Sequence, residues 1–533
     1  VLLVELLSNI GANAISFIPS RKEDGYGLNE KMINDINIQE IKLVITVDNG
    51  VSAFNAIKRS KQLGIDLIIT DHHKIPNDYI DVFALIHPER SPINSPYKYL
   101  AGVGVAFVLA KSICKKINYD IKKTTAKELF CIGTVADMAP LIGANRKWLK
   151  EYLPTISRTN NNGIRSIINK LSMKDIDITS EDIGYKIAPL INAAGRIGDP
   201  QIIIDLLTNE SQKSINKLTK ECFALNKERK RVTALIEQEA MEIAQSQYSC
   251  NRKFLVLTKE EWNPGIIGIV AARVVDKYNL PTAILSVASD GIFRGSIRSN
   301  NLIKVNLALD ECSNLLEAFG GHSAAAGFTV KEENISKLQD KLNQIAIREM
   351  SDSYLYKSIK PDAYLSLNHI NYEFYRQLSL LGPFGSMNLA PIFWTRKCRI
   401  VDIYYLKGNH IKMTLHDGTA FIDAIKWNDS TQLKINDLID IAYNIEINKW
   451  KTNIKIQLNI IDIKRYTNTI ELILHNRIYK CQITEEKKVV ITNKKGQSIM
   501  SDTSIDSLKL NVKQEYLAKK ILDFAEIALG IAS

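Results

Sequence analysis

The sequence has little that would cross a membrane or form covalent cross-links. None of its apolar runs reaches the length of a bilayer-spanning helix. The seven cysteines are scattered and include no CxxC pair, which argues against both disulfides and a zinc knuckle. An odd and dispersed set of cysteines is typical of a reducing compartment. We therefore expect a cytoplasmic protein that does not bind membranes.

The composition is that of a folded protein with an anionic partner. Hydrophobic residues make up 45% of the chain and charged residues 24%, which is ordinary for globular domains. A length of 533 residues exceeds what one hydrophobic core supports, so three or four domains are expected. The formal net charge of +11 favours an anionic partner, and nucleic acid is the commonest one.

Two apolar segments near the start of the chain end in acid and imidazole side chains. Residues 42–47 close on Asp48, and residues 65–70 close on the Asp-His-His triplet at 71–73. A segment of helical periodicity over 52–63 lies between them, so the order strand, helix, strand predicts a parallel crossover unit. Because open α/β sheets place their chemistry at the carboxyl ends of strands, we expect these side chains in one small volume.

Carboxylates mixed with imidazoles suit Mn²⁺ or a similar divalent cation. With Asp137 further along the chain, Asp48, His72 and His73 form such a set. Two cations about 3.5–4 Å apart clamp a phosphodiester. We count only three members of this set as ligands, and a two-metal site needs roughly twice that number. The alternative interpretation is that these aspartates only cap helices and strand ends.

The beginning of the chain is unusual for an α/β domain. It starts at Val1 in an amphipathic helix that ends near Gly11, followed by a predicted strand over 14–18. A helix of this kind normally packs behind a preceding strand. We therefore expect an N-terminally truncated sequence, whose absent first strand carries the remaining metal ligands.

The rest of the chain predicts a connector, a second α/β unit and a barrel. Helical periodicity dominates up to about residue 245, and strand–helix alternation resumes near residue 253. After about residue 365 five short alternating strands predict a small barrel of the oligonucleotide-binding type. The predicted domains are a parallel-sheet domain over 1–150 without its first strand, a helical connector over 151–245, a second α/β domain over 246–350, the barrel over 365–465, and a C-terminal extension of unassigned role over 466–533.

Several motifs together resemble the DHH phosphoesterases, and the resemblance covers roughly residues 1–465. The order of the predicted domains is similar to that of the family's single-strand-specific 5′→3′ exonucleases. The motifs that carry the resemblance are Val47–Gly50, Asp71–His73, Gly133–Asp137, Asn192–Arg196, Trp262–Gly268, Gly320–His322 and Leu381–Gly385.

The resemblance implies an enzyme that degrades single-stranded DNA from its 5′ end and releases mononucleotides, in DNA repair and recombination. It implies Mn²⁺ or Mg²⁺ as the cofactor, with a two-metal site in the full-length protein. The expected partners are single-stranded DNA and a helicase or single-strand-binding protein, and the expected state is a monomer. The implied residues are Asp48, His72 and Asp137 as metal ligands, His73 and His322 as catalytic residues, and Arg21, Tyr26, Arg196, Ser296 and Arg298 as nucleic-acid contacts.

Some of these residues suggest the same chemistry without the resemblance. Glycines at 320 and 321 let backbone amides approach a phosphate, with His322 as a donor or acid. Arg196 and Arg298 lie among small and polar residues, where a guanidinium can take two phosphate oxygens. For each, an ordinary loop histidine or solvated arginine is the alternative. Basic residues and aromatics on the barrel would hold a single strand, although its core is the alternative place for any one aromatic.

The sequence departs from the family pattern in three places. The opening Asp-x-Asp-Gly motif is missing, Asn263 stands where relatives usually have His, and His87 stands in place of a more usual Asn before Pro88. We expect Asn263 to be non-catalytic and His87 to be structural. Two other functions stay open. One is a nuclease of short RNAs or a cyclic-dinucleotide phosphodiesterase, whose members generally lack the barrel, and the other is a catalytically silent scaffold that binds single-stranded DNA.

Overall fold

The computed structural model describes residues 1–18, 27–76, 80–174, 177–300, 303–350, 359–429, 431–450, 453–474, 477–484, 486, 488–500 and 512–529. Contacts between Cα atoms divide the chain into two units. The first comprises residues 1–357 and 383–388, and the second comprises residues 358–382 and 389–533.

The first unit begins with the predicted parallel crossover. Its elements are α1 (Leu2–Asn9), α2 (Glu30–Ile38), β1 (Leu43–Val47), α3 (Phe54–Gln62), β2 (Asp66–Thr70) and β3 (Ala84–Ile86). The strands form a parallel sheet in the order β1-β2-β3, and Thr70 is in register with both Val47 and Ile86. The three strands therefore end level with one another, so the residues that follow them, Asp48, Asp71 and His87, share one edge of the sheet.

The strand predicted over residues 14–18 is wrong. These residues form neither helix nor strand. Ile15, Phe17 and Ile18 are each more than 40% exposed, and none of the described strands pairs with the segment. The alternation of apolar residues was the signal for a strand, but a strand also needs a partner for its backbone hydrogen bonds.

Helices follow the parallel sheet, as the periodicity predicts. They are α4 (Gly102–Lys116), α5 (Ala126–Ala136), α6 (Gly143–Tyr152), α7 (Asn162–Lys170), α8 (Ser180–Asp182), α9 (Ala188–Ile197), α10 (Gln201–Thr208) and α11 (Gln212–Ser249). A π-helical turn, Ile183–Ile187, joins α8 to α9. The core of this region includes fully buried Phe107, Phe130 and Leu149, and the 38-residue α11 leads out of it into the second sheet.

The second sheet combines parallel and antiparallel strands. Its elements are β4 (Leu255–Thr258), α12 (Ile267–Tyr278), β5 (Thr282–Ser289), β6 (Ile292–Arg298), α13 (Val305–Glu311), β7 (Leu316–Gly321), β8 (Ala325–Lys331) and α14 (Ile335–Glu349). The strand order is β4-β5-β6-β8-β7, and only the β4–β5 pair is parallel. Strand β6 is the central strand, so Ser296 and Arg298 lie between β5 and β8.

The second unit contains a closed barrel, which confirms the predicted architecture. Its elements are β9 (Ala363–Tyr364), α15 (Tyr372–Ser379), β10 (Phe393–Leu406), β11 (His410–His416), β12 (Phe421–Lys426), β13 (Leu438–Trp450) and β14 (Asn453–Arg465). Strands β10 to β14 close in the order β11-β12-β14-β13-β10, since β10 also pairs with β11. Buried Cys398, Tyr443 and Leu458 fill the interior.

The stretch after residue 465 is folded, although its sequence predicted only the last helix. Strands β15 (Thr469–Leu474), β16 (Arg477–Ile483), β17 (Val489–Asn493) and β18 (Ser498–Met500) form an antiparallel sheet in chain order. Helix α16 (Val512–Leu529) covers one face, where Ala525 packs with Cys481 and Ile491. In the described part of the chain, every helix is too short or too polar to traverse a lipid bilayer.

Candidate metal and phosphate site

Asp48 adopts a conformation that few residues other than glycine take. Its φ is +68°, and its N–H donates to the carbonyl of Thr70 at 2.9 Å, which continues the β1–β2 ladder by one bond. The N-terminus of α4 approaches the side chain closely, because a Cβ atom at Gly102 would lie 2.5 Å from Asp48 Oδ1. Gly102 is therefore required where it stands, and the carboxylate points along the edge of the sheet.

His72 lies between two carboxylates. Its Nε2 is 3.0 Å from Asp48 Oδ1 and 4.0 Å from Asp137 Oδ2. Burial alone would lower the pKa of His72, but the hydrogen bond to Asp48 and the charges of Asp48 and Asp137 raise it above its ordinary value. The two carboxylates that stabilise a proton on His72 would also stabilise a metal cation bound in place of that proton.

Asp137 reaches the site from the end of a helix, not from a strand. Helix α5 continues through the segment Gly133–Ala136, and Asp137 is its C-cap, with its N–H bonded to the carbonyl of Gly133 at 2.9 Å. Burial raises the pKa of Asp137, and the charges of nearby His72 and Asp48 act in opposite directions. The side chain of Asp137 is still 42% exposed, so its carboxylate is accessible to an incoming cation.

Asp71 holds His73 and is almost completely buried. Its Oδ1 accepts from the N–H groups of His72 and His73 at 2.7 and 3.2 Å and lies 2.7 Å from His73 Nδ1, and its Oδ2 accepts from Val51 N–H at 3.2 Å. Burial would raise the pKa of Asp71, but these hydrogen bonds outweigh it and leave the pKa lowered. The carboxylate therefore fixes the His73 ring with Nδ1 towards Asp71, an arrangement that the motif alone did not indicate.

His322 faces His73 from the second sheet. The two rings are nearly parallel, with centroids 6.1 Å apart and planes inclined by 12°. His322 sits in a tight turn, where its N–H donates to the carbonyl of Ala325 at 2.8 Å and the preceding Gly321 has a φ of +146°. Burial lowers the pKa of His322, and the charges of His73 and His72 lower it further.

Ser296 and Arg298 lie on the same face of β6. Arg298 Nη1 donates to Ser296 Oγ at 3.1 Å and to the carbonyl of Ile297 at 2.8 Å. The first turn of α12 comes close to both, because a Cβ atom at Gly268 would lie 2.9 Å from Ser296 Oγ and 3.0 Å from Arg298 Nη2. None of the ion pairs among the described residues includes Arg298, and burial lowers the pKa of its guanidinium. A half-buried cation beside a hydroxyl and a helix N-terminus suits a phosphate.

Arg196 ends helix α9 next to the loop before α12. Its Nη1 donates to the carbonyl of Gly265 at 3.0 Å, and a side chain at Gly265 would collide with the backbone of Arg196. Arg21 and Tyr26 lie outside the described residues. Within the same loop Asn263 Oδ1 accepts from Gly265 N–H at 2.8 Å.

The side chains at the edge of the parallel sheet fit a divalent cation. Asp48, His72 and His73 each offer a ligand atom, and these atoms lie within 4.8 Å of one another. Asp137 adjoins this group through His72. Carboxylate oxygens with imidazole nitrogens are a donor set that Mn²⁺ accepts, and the carboxylates also suit Mg²⁺. His73, expected from the resemblance to be a catalytic residue, thus lies close enough to His72 for both imidazoles to reach one ion.

The folds and this histidine–aspartate cluster define a member of the DHH family. The family model "DHH family, N-terminal domain" matches residues 1–134, "DHHA1 domain" matches residues 251–348 and "RecJ OB domain" matches residues 361–462. A Haemophilus influenzae protein, "Single-stranded-DNA-specific exonuclease RecJ", is 31% identical over 482 residues, which are 86% of this chain and 84% of the relative. The chain belongs to the RecJ family, so the resemblance drawn from the motifs is confirmed.

Further similarities agree with this assignment. The Bacillus subtilis protein of the same name is 33% identical over 467 residues, 86% of this chain, and the match spans 58% of that relative. The crystal structure of RecJ from Thermus thermophilus in complex with Mn²⁺ has the same fold, with a TM-score of 0.75 at 24% identity over 87% of this chain and 66% of that one. A structure of exonuclease RecJ bound to manganese has a TM-score of 0.56 at 28% identity over 66% of this chain and 89% of that one.

Proposed function

We propose that the chain is a metal-dependent exonuclease that degrades single-stranded DNA from the 5′ end and releases mononucleotides. The observation that carries the proposal is the placement of Asp48, His72 and Asp137 side by side in a member of the RecJ family. The manganese-bound relative supports Mn²⁺ as a cofactor, and the donor set also suits Mg²⁺.

The proposed metal ligands are Asp48, His72 and Asp137. When bound, a divalent cation polarises a phosphodiester oxygen and lowers the pKa of an attacking water. The chain's own residues orient the substrate: His73, held by Asp71, and His322 would hold the non-bridging oxygens of the scissile phosphate from two sides. One water is consumed per linkage. Its oxygen bonds to phosphorus, the bond from phosphorus to the 3′ oxygen of the terminal nucleotide breaks, and that oxygen takes up a proton.

Recognition of the 5′ end is assigned to the second sheet. Arg298 and Ser296 would take the terminal phosphate, because their hydrogen bond and the α12 N-terminus present several donors to one point. Arg196 is proposed as a further backbone contact, and Arg21 and Tyr26 as contacts to the 5′ nucleotide. The barrel would bind the following strand, a role that the match to "RecJ OB domain" supports.

The broader setting is also a proposal. We infer that the protein acts as a monomer in the cytoplasm, in DNA repair and recombination. A helicase or a single-strand-binding protein would supply its substrate by exposing free 5′ ends. The scattered cysteines, all seven of them unpaired, support a reducing compartment.

A length series of end-labelled oligonucleotides tests the proposal. With Mn²⁺, a 5′-labelled single strand of DNA should give labelled mononucleotide as its first product, while the same strand in a duplex stays intact. A preference for RNA dimers would favour a nuclease of short RNAs. Strand binding without cleavage, at any Mn²⁺ or Mg²⁺ concentration, would favour a silent scaffold.

A further inference from the structure

His87 is buried directly beside the proposed active site. It follows β3, it is 5% exposed, and it is the N-cap of the short turn Pro88–Arg90. Its Nδ1 accepts from the N–H of Glu89 at 3.1 Å, and its Nε2 lies 2.7 Å from the carbonyl oxygen of His73. A carbonyl can only accept and a backbone N–H can only donate. The ring therefore carries its proton on Nε2 and none on Nδ1.

The hydrogen bond from His87 to His73 lies directly after the last pair of the β2–β3 ladder. The last ladder contact between β2 and β3 is the bond from Asp71 N–H to the carbonyl of Ile86 at 3.3 Å. After this bond, the segments that follow β2 and β3 no longer pair as strands. The side chain of His87 bridges them by taking hold of the backbone of His73.

His73 is consequently held at both its ring and its backbone. Asp71 binds the imidazole at Nδ1, and His87 binds the carbonyl. Without His87 the carbonyl of His73 would lose this bond, and the His72–His73 segment would be held less firmly at its C-terminal end. Replacing a group that orients a metal ligand in this way typically lowers metal affinity or activity by about 10- to 100-fold.

We propose that His87 is a positioning residue, whose hydrogen bond to the backbone of His73 fixes the His72–His73 segment for cation binding and cleavage. The inference rests on the proposed function for its kinetic part only. The remaining part concerns the hydrogen bond from His87 to His73 and the affinity for Mn²⁺, and it can be measured without any cleavage.

The test compares H87A with a matched control, N161A. Asn161 does the same two things far along the chain: Oδ1 caps helix α7 by accepting from Ile164 N–H at 2.9 Å, and Nδ2 donates to the carbonyl of Leu207 at 2.7 Å. Both substitutions therefore remove one cap and one bond to a distant carbonyl. We expect similar losses of thermal stability, but only H87A should weaken Mn²⁺ binding, measured by the EPR signal of free Mn²⁺, by about 10- to 100-fold.

One further protein variant and one further assay make the test more specific. H87N, which keeps one acceptor and one donor on a shorter side chain, should recover most of the Mn²⁺ affinity. In cleavage assays H87A should lower kcat for a single-stranded oligonucleotide by about 10- to 100-fold, with KM nearly unchanged. Mn²⁺ affinity and kcat that fall no further in H87A than in N161A would overturn the proposal. A wild-type protein that cleaves no DNA, but whose Mn²⁺ affinity falls in H87A, would overturn the proposed function alone.

The premise can be tested without any substitution. Long-range ¹H–¹⁵N NMR spectra of histidine-labelled protein should identify His87 as the neutral tautomer with the proton on Nε2. A proton on Nδ1 would overturn the inference even if H87A does not fold.

Discussion

Two groups of polar side chains in the first unit have opposite charges. At the end of the parallel sheet, Asp48, Asp71 and Asp137 surround His72 and His73. On the mixed sheet, by contrast, Arg298 lies beside Ser296, and Arg298 forms none of the ion pairs among the described residues. In the proposed function the first group would bind the cation and the second the terminal phosphate, so metal binding and recognition of the DNA end would reside on different sheets.

The difference also concerns how the two groups are held. His73 is tied by a buried carboxylate and a buried histidine, so its geometry is fixed before any ligand binds. Among the described residues, Arg298 donates hydrogen bonds to one hydroxyl and one neighbouring carbonyl, so its guanidinium keeps donors for a ligand. The first arrangement suits chemistry, which needs accurate positions, and the second suits binding. Substitutions in the two groups should therefore change different kinetic parameters.

The largest effect is expected at the metal ligands. H72A or D137A should abolish cleavage while the affinity for a single strand is kept, because only the cation is lost. Single-turnover cleavage of a 5′-labelled strand in Mn²⁺ measures the first quantity, and fluorescence anisotropy the second. An equal loss of strand binding would contradict the separation of the two groups.

D71N should have a smaller effect of up to about 100-fold on kcat. The amide cannot accept the His73 proton and two backbone N–H groups as a carboxylate does, so the imidazole is no longer held. D417N is a matched control in the barrel, where Asp417 accepts from the N–H groups of Leu367, Thr419 and Ala420. If both variants lose the same activity in steady-state assays, Asp71 acts through stability and not through His73.

R298A should reduce the preference for a 5′-phosphorylated end by about tenfold, since it removes a charged donor to phosphate. The measurement compares kcat/KM for strands with 5′-phosphate and 5′-hydroxyl ends. R348A removes the same charge from an exposed ion pair with Glu311 in the same unit and should leave the preference intact. A preference that is unchanged in R298A would remove this residue from the phosphate site.

S296A should have the smallest effect, roughly a 2- to 10-fold loss of the same preference. The hydroxyl accepts one hydrogen bond from Arg298 and orients it, whereas the charge remains after the substitution. Competition between the two kinds of end in one reaction would resolve a difference of this size. A loss as large as that in R298A would mean that the hydroxyl, not the guanidinium, makes the main contact.

The five strands of the barrel were predictable, and so were β1, β2 and β4 to β6 of the two α/β sheets, because each combines apolar periodicity with turn residues. Strands β3, β7 and β8 were not predicted. The convergence of Asp48 and His72 was also predictable, since parallel strands in register end together. The sheet over β15 to β18 was not predicted. In β15 the residues Leu472, Ile473 and Leu474 are consecutive and apolar, which breaks the alternation typical of a strand, and Ile473 is 69% exposed.

Other features of the site depend on contacts that a sequence does not contain. Asp137 is the C-cap of α5, a position that the motif Gly133–Asp137 does not indicate. Asp71 and His73 are close in the sequence, but the motif does not indicate that the carboxylate bonds to the imidazole. His87 lies 14 residues after His73, and the sequence does not indicate that its ring bonds to the backbone of His73. The roles assigned to the site residues and the predicted domain boundaries stay predictions.

The central claim is that carboxylates and imidazoles at the end of the parallel sheet hold a divalent cation. Anomalous diffraction at the manganese absorption edge, from crystals of the protein grown with Mn²⁺, tests it directly. We expect a manganese peak in direct contact with Asp48, His72 and Asp137. Manganese bound elsewhere, with these three side chains in their present positions and no peak between them, would contradict it.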